Sequence, residues 1–174
     1  MSNSIEVRAL STGEALIRID ELSAILRDCV EGGTSVSFME PLTRERADDF
    51  WRGVAGAVGR GERTLLVAEH DGRLVGTVQL ITDMPENQPH RADVAKLLVQ
   101  RNLRGAGVGQ RLMECVHEAA RTQGRTVLVL DTANAAAERL YERLGWQRVG
   151  VVPGFALMPN GAPCATTFYY KCIA

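Results

Sequence analysis

Three glycines alternate in the run Arg104-Gly105-Ala106-Gly107-Val108-Gly109-Gln110, between an apolar β-rich segment and an amphipathic one. Glycine lacks a Cβ, so successive backbone N–H groups there can turn toward one point and nothing blocks an approaching ligand. If a helix begins at Val108, its unpaired amides and positive dipole end add to the same spot. Arg101 and Arg104 stand on the entering segment, and a guanidinium forks well onto phosphate oxygens. The chain must therefore place a strand, an anion-binding nest and a helix in succession, with a pyrophosphate as the natural occupant.

The spacing discriminates among phosphate-binding folds. A dinucleotide site needs G-x-G-x-x-G directly after its strand, whereas here the pattern is G-x-G-x-G, with Gln110 where the third glycine belongs. Gln100 to Arg104 also intervene between strand and first glycine. Asp131, roughly 20 residues on, imitates a ribose-binding acid but does not repair the spacing. No Gly-Lys-Ser/Thr triplet occurs, which excludes a P-loop.

Hydrophobic periodicity supplies the elements around the loop. Ile5 to Arg8 reads as a short strand, and Leu16, Ile19, Leu22, Leu26 and Cys29 as one face of a helix from Glu14 to Val30 with Thr12 as its cap. Thr43 caps a second helix carrying Ala47, Phe50, Trp51, Val54 and Val58. Thr64 to His70 and Leu74 to Ile81 are strands joined by an Asp71-Gly72 turn, and Arg91 to Val99 is the next strand. A third helix runs from Val108 to Gly124, a strand from Thr126 to Leu130, and a fourth helix carries Ala137, Leu140, Tyr141 and Leu144. Val149 to Val152 and Thr167 to Lys171 are strands flanking an Asn160-Gly161 turn. The expected order is β-α-α-β-β-β-α-β-α-β-β, in a single domain over residues 1–174.

Charge narrows the partners. Twenty basic against 21 acidic residues give a net charge of −1, with no field to hold nucleic acid or an anionic membrane. No apolar run approaches the roughly 18 residues of a membrane span, and Met1 to Leu10 has no signal-peptide pattern, so a cytoplasmic protein is expected. Cys29, Cys115, Cys164 and Cys172 form no C-x-x-C pair and read as reduced thiols. Only Lys96 and Lys171 are lysines, a bias attributed to genomic base composition. The three histidines have no H-E-x-x-H spacing and no serine sits in a G-x-S-x-G elbow, so neither a metal nor an acyl-enzyme is expected.

Arg104-x-x-Gly107-x-Gly109, preceded by Lys96-Leu97-Leu98-Val99 and followed by Asp131, Asn134, Ala137, Leu140-Tyr141 and Leu144-Gly145-Trp146, resembles the acetyl-CoA signature of the GCN5-related N-acetyltransferases (GNAT). Gly32 to Met39, Arg91-Ala92-Asp93-Val94, Leu130-Asp131-Thr132 and Pro153-Gly154-Phe155 resemble more closely the tabtoxin-resistance type, which modifies a small amino-bearing β-lactam toxin. The resemblance implies an α/β (α+β) fold with a mixed, mostly antiparallel sheet of about seven strands and four helices. It implies a splay between the fourth and fifth strands that admits the pantetheine arm.

It also implies a division of labour. Acetyl-CoA would be held by Arg104, Gly105, Ala106, Gly107, Val108, Gly109 and Gln110, by Asn134, and by the backbone of Leu97, Leu98 and Val99, with the Leu98 N–H facing the carbonyl oxygen. Tyr141 would protonate or orient the departing thiolate, although its apolar neighbours equally suit a core aromatic. Asp93 and Asp131 would attract the cationic amine or remove its proton; Asp131 equally suits a cap for the following helix, and Asp93 a solvated strand position. Ser37, Phe38 and His90 complete the expected acceptor side. The expected acceptor is the amine of a small molecule, of the kind of an amino acid or an amino-acid-like or β-lactam toxin, with a protein amine or a non-catalytic acetyl-CoA-binding role as alternatives, in a monomer or homodimer.

Overall fold

The computed structural model describes residues 4–173. One seven-stranded sheet runs through them in the order β1-β2-β3-β4-β5-β7-β6. Its strands are β1 (Glu6–Ala9), β2 (Arg63–His70), β3 (Arg73–Ile81), β4 (Arg91–Val99), β5 (Val127–Thr132), β6 (Gln147–Leu157) and β7 (Pro163–Cys172). All neighbours are antiparallel except β4 and β5, whose parallel register spans only Arg91↔Val127 to Asp93↔Val129. Beyond Asp93 the two strands diverge, as the resemblance implies.

Five α-helices cover the sheet: α1 (Thr12–Ile17), α2 (Ile19–Glu31), α3 (Arg44–Gly59), α4 (Val108–Thr122) and α5 (Ala135–Arg143). The expected single helix from Glu14 to Val30 is broken at Arg18, and the cap is Ser11 rather than Thr12. Ser11 and Glu14 form a reciprocal capping box, which outcompetes the neighbouring threonine. Arg18 leaves helical geometry because its guanidinium is drawn sideways onto Glu21, Glu69 and the carbonyl of Gly72. Tertiary ion pairs thus override a continuous apolar stripe.

The sheet has a core on each face. Leu22, Ile25 and Leu26 of α2 and Trp51 of α3 pack on Leu65, Val67 and Leu98. Val108, Leu112, Val116 and Tyr141 pack on Leu66, Val78, Val94 and Leu130. Gly76 lets α4 approach β3: a Cβ there would meet Leu98 O and Leu112 Cδ1 at 3.0 Å. The helices therefore clamp both faces of β4.

Candidate active site

The divergence of β4 from β5 opens a cavity of about 980 Å³. At one end lies the glycine loop. A single 3-10 turn, Arg101–Leu103, leads into Gly105 (φ +82°) and Gly107 (φ +81°), and Gly107 occupies the N-cap of α4 without any side-chain cap. Both glycines are in the left-handed region, so the turn itself demands them, while the space beside each is open. Gly109 answers a different need: a Cβ there would stand 3.3 Å from Leu140 Cδ2, where α4 closes on α5. The first amides of α4 thus face the cavity with no side chain competing for them.

Arg104 lines this end, its Nε donating to Val99 O at 3.3 Å and one terminal nitrogen reaching Thr34 Oγ1 at 3.4 Å. Arg101 is instead engaged by Asp28 at 2.9 Å and stays outside the cavity. Gln110 bonds Glu114 along the helix at 2.9 Å, and Asn134 caps α5 by accepting from Ala136 N and Ala137 N. The helix-cap role considered for Asp131 therefore belongs to Asn134.

Midway, β4 carries a bulge: Thr77 and Gln79 of β3 face Leu98 and Ala95, so β4 spends one more residue than its partner. Lys96 absorbs the irregularity at φ +54°, and its carbonyl accepts from Thr77 Oγ1 at 3.1 Å. From Val94 to Val99 the edge of β4 that faces β5 has no strand beside it, and Leu97, Leu98 and Val99 line the cavity.

Across the gap stands Tyr141, 5% exposed, its ring packed between Trp146 and Tyr169 at centroid distances of 6.0 and 5.9 Å. Burial, and then the Asp131 carboxylate, push its pKa well above the usual phenol value. The ring belongs to the core, as its apolar neighbours suggest, while the residue also lines the cavity.

The other end is built from single side chains of distant elements. Asp131, on β5, accepts from Thr166 Oγ1 of β7 at 2.8 Å. Ser37 and Phe38 line the cavity from the segment between α2 and α3, and Phe38 packs edge-on against Phe50 at 5.2 Å. That segment is tied to the end of the β6-β7 hairpin by Ser35 Oγ to Leu157 O at 3.1 Å and Glu40 N to Pro159 O at 3.0 Å. Phe155 of β6 contributes to the same wall.

Two expected acceptor residues stand elsewhere. Asp93 shares a sheet face with Asp131 but lies on the part of β4 still paired to β5, forms an ion pair with Arg91 and does not line the cavity. His90 is at the foot of β4, where its carbonyl accepts from Thr126 N and Val127 N, and it is likewise outside. Two residues that sequence reasoning passed over are present: Thr166, 3% exposed, and Lys96, whose Nζ donates to Ser37 Oγ at 2.9 Å. The rarity of lysine in this chain was the available signal for the latter.

Among the described residues no group of three His, Cys, Asp or Glu side chains is placed to hold a metal, and no helix is long and apolar enough to cross a membrane.

Comparison with known proteins agrees with this geometry. An "Uncharacterized N-acetyltransferase in hisH-hisA intergenic region" of Azospirillum brasilense is 32% identical over 72% of this chain and 71% of its own length. The matches to animal N-acetyltransferases, N-acetyltransferase 8B of Homo sapiens among them, cover less than half of those proteins. A ribosomal-protein-alanine N-acetyltransferase from Brucella melitensis superimposes with a TM-score of 0.79 at 25% identity, covering 96% of this chain and 99% of that one. The Salmonella typhimurium protein yncA, solved with its cofactor acetyl-CoA, gives 0.79 at 18% identity, covering 99% and 95%. The family model described as "Acetyltransferase (GNAT) family" matches residues 20–146, from α2 through the nest to the residue before β6, and the chain belongs to that family.

Proposed function

We propose that this acetyltransferase moves the acetyl group of acetyl-CoA directly onto the amine of a small molecule held at the Asp131 end of the cavity. One observation carries the reading: a continuous cavity joins the amide nest at α4 to the gap beside β4, with Tyr141 and Asp131 on its far wall. The donor supplies an activated thioester. The nest and Arg104 hold its pyrophosphate, and the free edge of β4 near Leu98 offers a backbone N–H to the carbonyl oxygen as it gains charge. Gln110 and Asn134 flank the donor, Asn134 chiefly by fixing the start of α5.

As the C–N bond forms and the C–S bond breaks, the amine loses a proton and the sulfur becomes a thiolate. Asp131 faces the ammonium, draws it in and passes its proton toward solvent, to which that side chain is open. Tyr141 keeps its own proton at any ordinary pH, because its pKa lies far above that of a thiol near 8.5. Full transfer to the thiolate is uphill, so Tyr141 acts as a hydrogen-bond donor that stabilises and orients the leaving sulfur. Resemblance to the tabtoxin-resistance type supports a small amino-bearing acceptor, with Ser37 and Phe38 shaping its pocket.

The test is thiol release from acetyl-CoA in the presence of amino acids, aminoglycosides and β-lactam amines, with both substrates varied. Amine-dependent release with intersecting double-reciprocal lines is expected, since donor and acceptor occupy one cavity together. Parallel lines would overturn direct transfer, and binding of acetyl-CoA without release on any amine would overturn catalysis.

A further inference from the structure

Lys96 occupies a position that disfavours it on every local ground. Its backbone is in the left-handed region, where any residue with a Cβ is strained and glycine is not. Its side chain is half-buried on a strand otherwise occupied there by Val94, Ala95, Leu97 and Leu98. Burial accordingly pushes its pKa down, an effect that Arg63 reinforces and Asp131 partly opposes. Strain and desolvation held at one cavity-lining residue call for a compensating partner.

The protein itself supplies little. Of the three donors on the ammonium, one reaches Ser37 Oγ. Among the described residues no carboxylate pairs with it: Asp131 acts only through space, and one of its oxygens is already bonded to Thr166. The cavity therefore presents a cation on β4 and an anion on β5, one on each side of the divergence. An acceptor carrying only positive charge gains from Asp131 and loses to Lys96. An acceptor carrying both charges gains from each, and a matched pair of opposite charges also fixes which way round it binds.

We propose that Lys96 is the anion-binding specificity residue of the acceptor site, and that the acceptor is a zwitterion of the amino-acid class, its ammonium toward Asp131 and its carboxylate toward Lys96 and the Ser37 hydroxyl. This deepens the acetyl-transfer reading and rests on it. It disfavours polyamines, aminoglycosides and peptide N-termini, which bring an amine without a neighbouring carboxylate.

The experiment compares L-amino acids with their own carboxamides, which keep the amine and side chain and lose only the anion. Thiol release is followed for the wild type, Lys96→Met and Lys96→Gly. The wild type is expected to favour the acid over its amide by about 100-fold in kcat/KM, the scale of one hydrogen bond to a charged group. In both variants that ratio is expected to collapse toward 1. Lys96→Gly guards against misfolding, because glycine suits the local backbone and is expected to melt no lower than the wild type. A wild type indifferent to the carboxylate, or variants that lose both activities in proportion, would overturn the assignment. Turnover restricted to amines without an anion would overturn this inference and leave acetyl transfer standing. No turnover with any amine would overturn both.

Discussion

The two ends of the cavity are made of different materials. The end proposed for the coenzyme is backbone: the amides of α4, the left-handed turn at Gly105 and Gly107, and the free edge of β4. The end proposed for the acceptor is side chain: Lys96, Asp131, Thr166, Ser37 and Phe38, from three strands and one connecting segment. Backbone recognition suits a ligand common to a whole family, because it survives nearly any substitution that keeps the turn. Side-chain recognition suits a ligand that differs between members, since one substitution rewrites it.

The largest effect is expected from Gly107→Asp. No atom crowds the position, so the chain is expected to fold, at a cost of about 1–2 kcal/mol for placing a Cβ at positive φ. A carboxylate would then stand where the helix amides receive a pyrophosphate, and acetyl-CoA affinity is expected to fall about 1000-fold or more. Calorimetric titration of the folded variant showing wild-type affinity would remove the coenzyme from this end. Tyr141→Phe, at the junction of the two ends, is expected to lose about 100-fold in kcat with acetyl-CoA affinity retained, the scale for removing one hydrogen-bond donor from developing charge. Unchanged turnover, under conditions where chemistry limits, would leave the ring only its packing role.

The helix that begins at the nest also carries a weakness in acid. His117 of α4 is buried, accepts from Trp146 Nε1 at 3.1 Å, and has its pKa pushed down to about 4, first by burial and then by Lys171. Its folded pKa lies below the unfolded value near 6.5, so the unfolded chain binds the extra proton first. Its contribution to stability is complete above about pH 6.5 and lost as pH falls toward 4. The loss is on the order of 2 kcal/mol once solvent screening is allowed for. Urea unfolding across that range is expected to show the decline in the wild type and a flatter profile in His117→Gln; equal slopes would assign the acid sensitivity to other groups.

The smallest effects separate two aspartates. Asp131→Asn is expected to raise the acceptor KM about 10-fold without altering acetyl-CoA affinity, whereas Asp93→Asn is expected to stay within about 2-fold of the wild type. A damaged Asp93 variant beside a silent Asp131 variant would move the acceptor to the paired part of β4 and undo the assignment of the two ends.

The same contrast explains what was legible in the sequence. Alternating glycines before an amphipathic helix announce the nest, because positive φ and close approach each demand glycine and leave a pattern. The hairpin at Asp71-Gly72 was legible for the same reason. Asp93 and His90 were misplaced because nothing in an apolar run states where two parallel strands part; that is decided by α4 and α5 packing beneath them. The bulge on β4 left no glycine to mark it, so Lys96 passed as compositional noise. The break at Arg18 was invisible because Glu69, which draws it out of the helix, lies 51 residues away.

Seen as a matter of chain assembly, the ties between the segment before α3 and the β6-β7 hairpin acquire another meaning. Ser35 and Leu157 are 122 residues apart, whereas the strand, nest and helix of the coenzyme end are contiguous along the chain. Local contacts cost little loop entropy and form early; closures across most of a chain form late. The capacity to grip the coenzyme is thus expected to form, during folding, before the enclosure proposed to select what is acetylated. A chain arrested between the two would hold a donor before it had any means of choosing an acceptor.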